Sequence, residues 1–184
     1  MALGVDVYTA SSKTISMIAD AKSPQDIIAV VPIPPAPRVG SKVIALDRVS
    51  DPGNAGTLIR TAAWFGCTDV VFGLGSVDPY SPKIVRSSVA SLFRLGIHAE
   101  VNLEEFLPTI NHTIVCTAAY GGQMPAHIHG LDSLLLLLGS EAHGVDPRLS
   151  RHAHHTVSIG GIGHLESLNV AVAGSILLYE WYGR

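Results

Sequence analysis

Five consecutive leucines, Leu134 to Leu138, followed by Gly139, constrain the fold of this chain more than any other feature. The run is far shorter than the roughly 18 to 20 apolar residues of a membrane span. It lacks the polar alternation of a strand with one wet face. It therefore reads as a strand covered on both sides, as in a parallel sheet packed between helices. The chain around it supports this: strand Val43 to Asp47, helix Ala55 to Phe65, strand Asp69 to Phe72, helix Ser81 to Leu95, strand Ile97 to Val101 and helix Leu103 to Ile110. Strand Thr113 to Thr117, a loop through Gly121 to Gly130, the leucine strand, strand Thr156 to Ile159 and a helix Leu165 to Tyr182 follow. Strands separated by helices give an α/β class with helices on both faces of a parallel sheet. Phe65-Gly66-Cys67 ends the first of these helices, and Ser81-Pro82 supplies a cap and a first-turn proline for the second.

Composition narrows the function classes. Of 184 residues 47% are apolar and 15% charged, which excludes a disordered or collagen-like chain. Twelve Lys+Arg against 15 Asp+Glu give a net charge of -3, so a polyanion would be held by a local patch and not by a global field. Cys67 and Cys116 sit far apart in apolar settings and read as reduced core thiols. Met1 to Ala10 has no secretory pattern, so a cytoplasmic protein is expected.

At the start, a helix Ser11 to Asp20 and a strand Ile27 to Ile33 cannot close a core alone. Pro32, Pro34, Pro35 and Pro37 then form an extended tether, placing a boundary between Ile33 and Gly40. At the other end the last helix carries apolar residues in nearly every direction, more than one sheet face covers, which implies a partner subunit.

In open α/β sheets ligands bind beyond the carboxyl ends of strands, here the loops after Asp47, Thr117, Leu138 and Ile159. Asp51-Pro52-Gly53-Asn54 leads into a helix carrying Arg60; Asn54 alone is equally a helix cap, and Arg60 alone a surface residue. Gly139-Ser140-Glu141-Ala142-His143-Gly144 permits close approach to a ligand or is a plain glycine turn. Ser167 and Asn169 head the last helix, where they would also serve as cap and first turn. Neither GxGxxG, GxxxxGK[ST] nor GxSxG occurs, which disfavours nicotinamide enzymes, P-loop NTPases and serine hydrolases. His152, His154 and His155 lack nearby cysteines and read as surface; no metal site is expected.

Together the three loops resemble the SpoU-type RNA ribose methyltransferases of the SPOUT superfamily. LDRVSDPGNAGTLIRTAAWFG, Leu46 to Gly66, is similar to the family's first motif, LLLLGSEAHGV, Leu135 to Val145, to its second, and ESLNVAVAGSILLYE, Glu166 to Glu180, to its third. SPKIVRSSVASLFRLGI, Ser81 to Ile97, resembles the connecting helix. The resemblance implies a Rossmann-like sheet with a C-terminal deep trefoil knot, a rare departure from unthreaded topology.

It also implies methyl transfer from S-adenosylmethionine to a ribose 2'-hydroxyl, by a homodimer, on ribosomal RNA in preference to transfer RNA. Asn54, Arg60, Glu141, Ser167 and Asn169 match the catalytic positions, and Thr117, Ala118, Gly139, Ile159, Gly161 and Leu168 the cofactor positions. The chain departs from the family at Ile159-Gly160-Gly161, where many members carry Ile-Pro-Met. Because a guanidinium is a poor base, Arg60 is read as a clamp on phosphate and developing alkoxide, with the base unassigned. Arg60, Arg48, Lys83 and Arg86, with Arg38 and Arg94, are the expected RNA phosphate contacts. Residues 1–33 resemble the end of a ribosomal-protein-like RNA-binding domain, 34–41 the linker and 42–184 the catalytic domain; the chain is expected to begin part-way through the first. Rival readings are a non-catalytic RNA-binding relative and an unrelated α/β enzyme acting on a nucleotide or phosphate ester.

Overall fold

The leucine run decides the middle of the sheet because its side chains alternate between two apolar layers. In a computed structural model describing residues 4–19, 23–162 and 166–182, Leu134, Leu136 and Leu138 enter one core with Ile44 and Leu46, and Leu135 and Leu137 enter another with Val43 and Ala45. These strand residues are at most 1% exposed. Each such side chain contributes about 1.5–3 kcal/mol by leaving water, so neither face tolerates a one-residue slip of register.

The chain divides into two units, Met1–Pro35 and Ala36–Arg184. In the first, α1 (Ser12–Ile18) starts at Ser11, whose hydroxyl accepts from the Thr14 N–H at 3.2 Å. The strand expected over Ile27 to Ile33 is absent: the segment has no regular structure and no ladder partner among the described residues, and Val30 is 96% exposed. Strand propensity without a ladder does not make a strand.

The second unit holds β1 (Lys42–Asp47), α2 (Pro52–Trp64), β2 (Asp69–Gly73), α3 (Pro82–Ser87), β3 (Gly96–Val101) and α4 (Leu103–Phe106). It continues through β4 (Thr113–Thr117), β5 (Leu134–Gly139), α5 (Pro147–Ser150), β6 (His155–Val157) and α6 (Val170–Tyr182). The order is β3-β2-β1-β5-β4-β6, and every adjacent pair is parallel. Strand order reverses between β1 and β5, the switch point at which the following loops diverge and leave a crevice. α2, α3 and α6 contribute to the core on one face, α4 and α5 to the core on the other.

Several boundaries differ from the sequence expectation. The helix expected over Ser81 to Leu95 is α3 followed by a separate 3₁₀ turn, Ser91–Arg94, because Val89 (φ 49°) and Ala90 (φ 62°) take left-handed backbone. Ser81 makes no side-chain cap bond. The helix expected over Leu103 to Ile110 is α4 plus a 3₁₀ turn, Leu107–Thr109, in which Pro108 limits α-helical continuation. The strand expected at Thr156 to Ile159 is His155–Val157, and the last helix begins at Val170, with Leu165 outside the described residues. α5, absent from the sequence reading, is one turn capped by Asp146. Among the described residues no helix is long and apolar enough to cross a membrane.

Candidate active site

Three loops that are distant in sequence meet beyond the carboxyl ends of β1 and β5. α2 is capped by Asp51, whose carboxylate accepts from the Asn54 N–H at 2.8 Å, so Asn54 is not the cap. Its side chain is free for another use: Nδ2 donates to Glu141 Oε1, and Oδ1 accepts from Asn169 Nδ2 at 3.0 Å. Asn169 Oδ1 in turn accepts from the Ala171 and Val172 N–H groups at 2.9 and 3.3 Å, capping α6. The bonds run from the N-terminus of α6 through Asn169 and Asn54 to the Glu141 carboxylate. Each amide has a donor and an acceptor side in use, which fixes its orientation.

Glu141 rides on a tight loop. Gly144 N–H donates to Ser140 C=O at 2.8 Å and His143 N–H to Ser140 Oγ at 3.2 Å. A Cβ on Gly139 would lie 2.1 Å from the Gly144 carbonyl carbon, so only glycine lets the strand end pass the returning loop. Beneath it, buried Asp47 accepts from Arg48 Nε at 2.9 Å and from the Asp146 N–H at 2.8 Å. Its hydrogen bond raises the Arg48 guanidinium above the usual value, while the Arg148 guanidinium holds the Asp146 carboxyl down to about 2.

Beside this junction lies a cleft of about 970 Å³, at the upper end of small-molecule sites. Thr117 and Ala118 line it from the end of β4, Gly139, Glu141 and His143 from the loop after β5, and Ile159, Gly160 and Gly161 from the segment after β6. Ser167, Leu168, Val170 and Leu177 close it. A Cβ on Gly160 or Gly161 would meet nothing within 4 Å, so the backbone there is open to a ligand. The wall combines aliphatic side chains, exposed peptide groups and the carboxylates of Glu141 and Glu166. That composition suits a nucleoside carrying a cationic tail. Among the described residues no group of three or more His, Cys, Asp or Glu side chains could hold a metal ion.

Comparison with known proteins decides which family builds such a cleft: the SpoU rRNA Methylase family matches residues 41–179. The chain belongs to the SpoU family. A curated SpoU relative, the 23S rRNA (guanosine(2553)-2'-O)-methyltransferase RlmP of Bacillus subtilis, is 34% identical over 98% of this chain and 74% of its own length. An AdoMet-bound rRNA methyltransferase from Sinorhizobium meliloti superposes with a TM-score of 0.79 at 31% identity, covering 92% of this chain and 69% of that one. A TrmH-family protein from Porphyromonas gingivalis gives 0.83 at 33%, covering 91% and 70%.

Within this SpoU chain, the six expected cofactor residues, Thr117, Ala118, Gly139, Ile159, Gly161 and Leu168, all line the one cleft, as do Glu141 and Ser167. Asn54 joins it through Glu141, and Asn169 through Asn54. Arg60 is exposed on α2, outside the cleft lining, without a side-chain hydrogen bond or ion pair among the described residues. Lys83 and Arg86 lie exposed on α3. Arg48 is held by Asp47 and directed at Gly144 O, 3.5 Å away, so its contacts support the Glu141 loop. Asp47, Asp146 and His143 were not singled out from sequence. A buried aspartate ending a strand at the switch point was the available signal for Asp47.

Proposed function

We propose that this chain transfers a methyl group from S-adenosylmethionine to a ribose 2'-hydroxyl of ribosomal RNA, in the cytoplasm. The observation that carries this reading is the Glu141–Asn54–Asn169 junction, which ties the three motifs together at the mouth of one cleft. The cleft fits the cofactor by its size, its open Gly160-Gly161 backbone and its two carboxylates, which complement the cofactor's cationic groups. When bound, S-adenosylmethionine would supply an electrophilic methyl group to the 2'-oxygen and leave as the neutral thioether, with the hydroxyl proton passing to solvent water.

This chain's own residues supply positioning. Gly139 and the Ser140–Gly144 turn hold Glu141, and Asn54 fixes its direction. Arg60, exposed and without a side-chain partner among the described residues, clamps a substrate phosphate and stabilises the forming alkoxide. Ser167 and Asn169 orient the ribose at the head of α6, while Thr117, Ala118, Ile159, Gly161 and Leu168 hold the cofactor. Such fixed geometry is the main source of acceleration for a displacement that needs no covalent intermediate.

Domain roles follow the sequence reading: 1–33 the end of an RNA-binding domain, 34–41 a tether and 42–184 the catalytic domain. The C-terminal part is a deep trefoil knot. In support, Gly174 of α6 packs against Leu58 and Leu138, while Trp181 Nε1 donates to Leu131 O at 2.8 Å. The helix thereby contacts both the sheet and the connection between β4 and β5. The active form is a homodimer, in support of which α6 exposes Val172, Ile176 and Tyr179 along one stripe beside exposed Trp64 of α2. Arg60 then acts across the interface.

The test is calorimetric titration of S-adenosylmethionine, with molar mass on the same sample, followed by methylation of transcribed 23S RNA with labelled cofactor. Saturable binding to a dimer and label in alkali-resistant dinucleotides are expected. A folded protein that binds no cofactor at millimolar concentration refutes the reading.

A further inference from the structure

Several cations of the second unit are held by neighbours. Arg48 pairs with Asp47, Arg148 with Asp146 and Glu104, and Arg151 with Glu104. Lys42 lies over the Tyr182 ring at 4.5 Å. By contrast, Arg60, Lys83 and Arg94 make no such contact among the described residues, and all three are exposed on α2, α3 and the 91–94 turn. Residues 52–68 and 79–99, which build this flank, contain Arg60, Lys83, Arg86 and Arg94 and not one Asp or Glu. In a chain of net charge -3 this is a local positive surface.

The same flank displays an aromatic ring. Phe93 is 65% exposed although its neighbour Leu92 is 5% exposed and part of the core. The left-handed pair Val89–Ala90 brings this about by ending α3 and restarting the chain as a 3₁₀ turn, with Leu92 inward and Phe93 and Arg94 outward. A β-branched residue such as Val89 enters that backbone region only under constraint. The turn is anchored: Ser91 N–H donates to Ser88 O at 3.0 Å, and Ser88 is fully buried. α3 also packs hard on α2, since a Cβ on Gly56 would lie 1.8 Å from Ser87 Oγ. Arg60, one turn beyond Gly56, lies on the same stripe of α2. Phe93 therefore stands on an anchored turn whose own segments carry no acid, the nearest in sequence being Asp51, Asp69, Asp78 and Glu100 at their ends.

We propose that this flank is a subsite for an unpaired segment of the RNA substrate, with a nucleobase stacked on Phe93 and the adjoining phosphates held by Lys83 and Arg94. The proposal rests on the methyltransferase reading and extends it. Unpaired RNA is recognised by stacking on exposed rings beside cations, whereas a paired helix hides its base faces. An exposed ring beside the three cations Arg60, Lys83 and Arg94 offers a base a stacking face and its phosphates a counter-charge together, which makes RNA the fitting occupant.

The experiment uses the full chain with fluorescein-labelled oligouridylate and a fully paired RNA hairpin as probes, at several salt concentrations. Wild type binds oligouridylate more tightly than the hairpin. Phe93→Ala weakens oligouridylate binding about ten-fold, Phe93→Trp preserves it and Phe93→Leu does not. Lys83→Ala and Arg94→Ala each lower the salt slope by about 0.7, while Arg151→Ala on the paired side leaves it unchanged. The subsite is overturned if wild type does not bind oligouridylate, if Phe93→Ala or Phe93→Leu binds like wild type, or if Phe93→Ala alters the molar mass instead, which would make the ring a subunit contact. Cofactor titration of each variant separates the two readings: cofactor binding by wild type with an inert Phe93 removes this proposal alone.

Discussion

Four glycines line the same cleft for three different physical reasons, so alanine at each has a different expected cost. At Gly139 the added Cβ would sit 2.1 Å from the Gly144 carbonyl carbon and the Val145 nitrogen, against ordinary contact at 3.4 Å or more. Both atoms are backbone, so the loop must retreat by more than 1 Å. That retreat strains the Gly144-to-Ser140 bond and the Asp146 N–H bond to buried Asp47. Overpacking together with one neutral and one charge-assisted bond amounts to about 2–4 kcal/mol. A chain of this size loses roughly 2–4 °C of Tm per kcal/mol. Gly144 has φ +66° and open space around its Cβ position, so alanine there carries only the left-handed backbone cost of about 1–2 kcal/mol. Gly160 and Gly161 have neither obstacle, and alanine there stabilises by about 0.4–1 kcal/mol through the unfolded chain. Urea unfolding and calorimetric cofactor titration of all four variants give the test. Gly139→Ala loses both stability and cofactor affinity, Gly144→Ala loses less, and Gly160→Ala and Gly161→Ala keep stability. A Gly139→Ala protein with wild-type midpoint and affinity, or Gly160→Ala less stable than Gly139→Ala, refutes the close-approach argument.

Asn169 does two jobs that substitution separates: Asn169→Ala loses the α6 cap, about 1 kcal/mol in a denaturant melt, whereas Asn169→Ser keeps a cap but cannot reach Asn54. Both variants lose methylation; a fully active Asn169→Ser would sever the amide junction from catalysis. Burial pushes the Cys67 thiol up to about 12 and the Cys116 thiol up to about 11, so neither reacts with a disulfide reagent at pH 8 until urea unfolds the chain. Free-thiol rates in the native state would contradict that burial. For Asp69, burial alone would raise the carboxyl, but hydrogen bonds from His98, Thr68 and the Gly40 N–H outweigh it and hold the folded value below 3.8. Its contribution is therefore present above the unfolded value near pH 4 and is lost as pH falls through the depressed folded value. The stability gap between wild type and Asp69→Asn, measured by urea melts, narrows as pH falls below about 4; a gap constant with pH would mean that the charge contributes nothing. Mixing Arg60→Ala subunits with a cofactor-site variant restores part of the activity if Arg60 acts across a dimer, and no recovery counts against sharing.

The sheet was legible in sequence to the extent that burial alone determines it. β1, β2, β4 and β5 are apolar on both faces, and their limits differ from the sequence reading by one residue at most. The errors fall where tertiary contacts overrule local pattern. Ile27 to Ile33 has the composition of a strand and no ladder partner among the described residues. The helix through Ser88 stops because Val89 and Ala90 adopt left-handed backbone, which no periodicity predicts for valine. Strand order, above all the placement of β5 beside β1, depends on crossovers that local sequence does not encode.

For the candidate site, the sequence names residues that the structure brings together and says nothing of how they connect. Asn54, Glu141 and Asn169 each had an ordinary local explanation as a cap or a turn residue, and the structure separates those explanations. Asp51 takes the cap of α2, which leaves the Asn54 amide without local work; Asn169 performs its cap with Oδ1 and still has Nδ2 to donate. The surplus groups then meet across 87 and 115 residues of sequence. An amide that must donate to Glu141 and accept from Asn169 cannot be replaced by aspartate or leucine without stranding one of them. The constraint on Asn54 comes from two loops it never touches in sequence. The same logic separates Arg48 from Arg60: the first spends its guanidinium on Asp47 beneath the Glu141 loop, and the second, six residues beyond Asn54 on α2, is exposed and has no side-chain partner among the described residues.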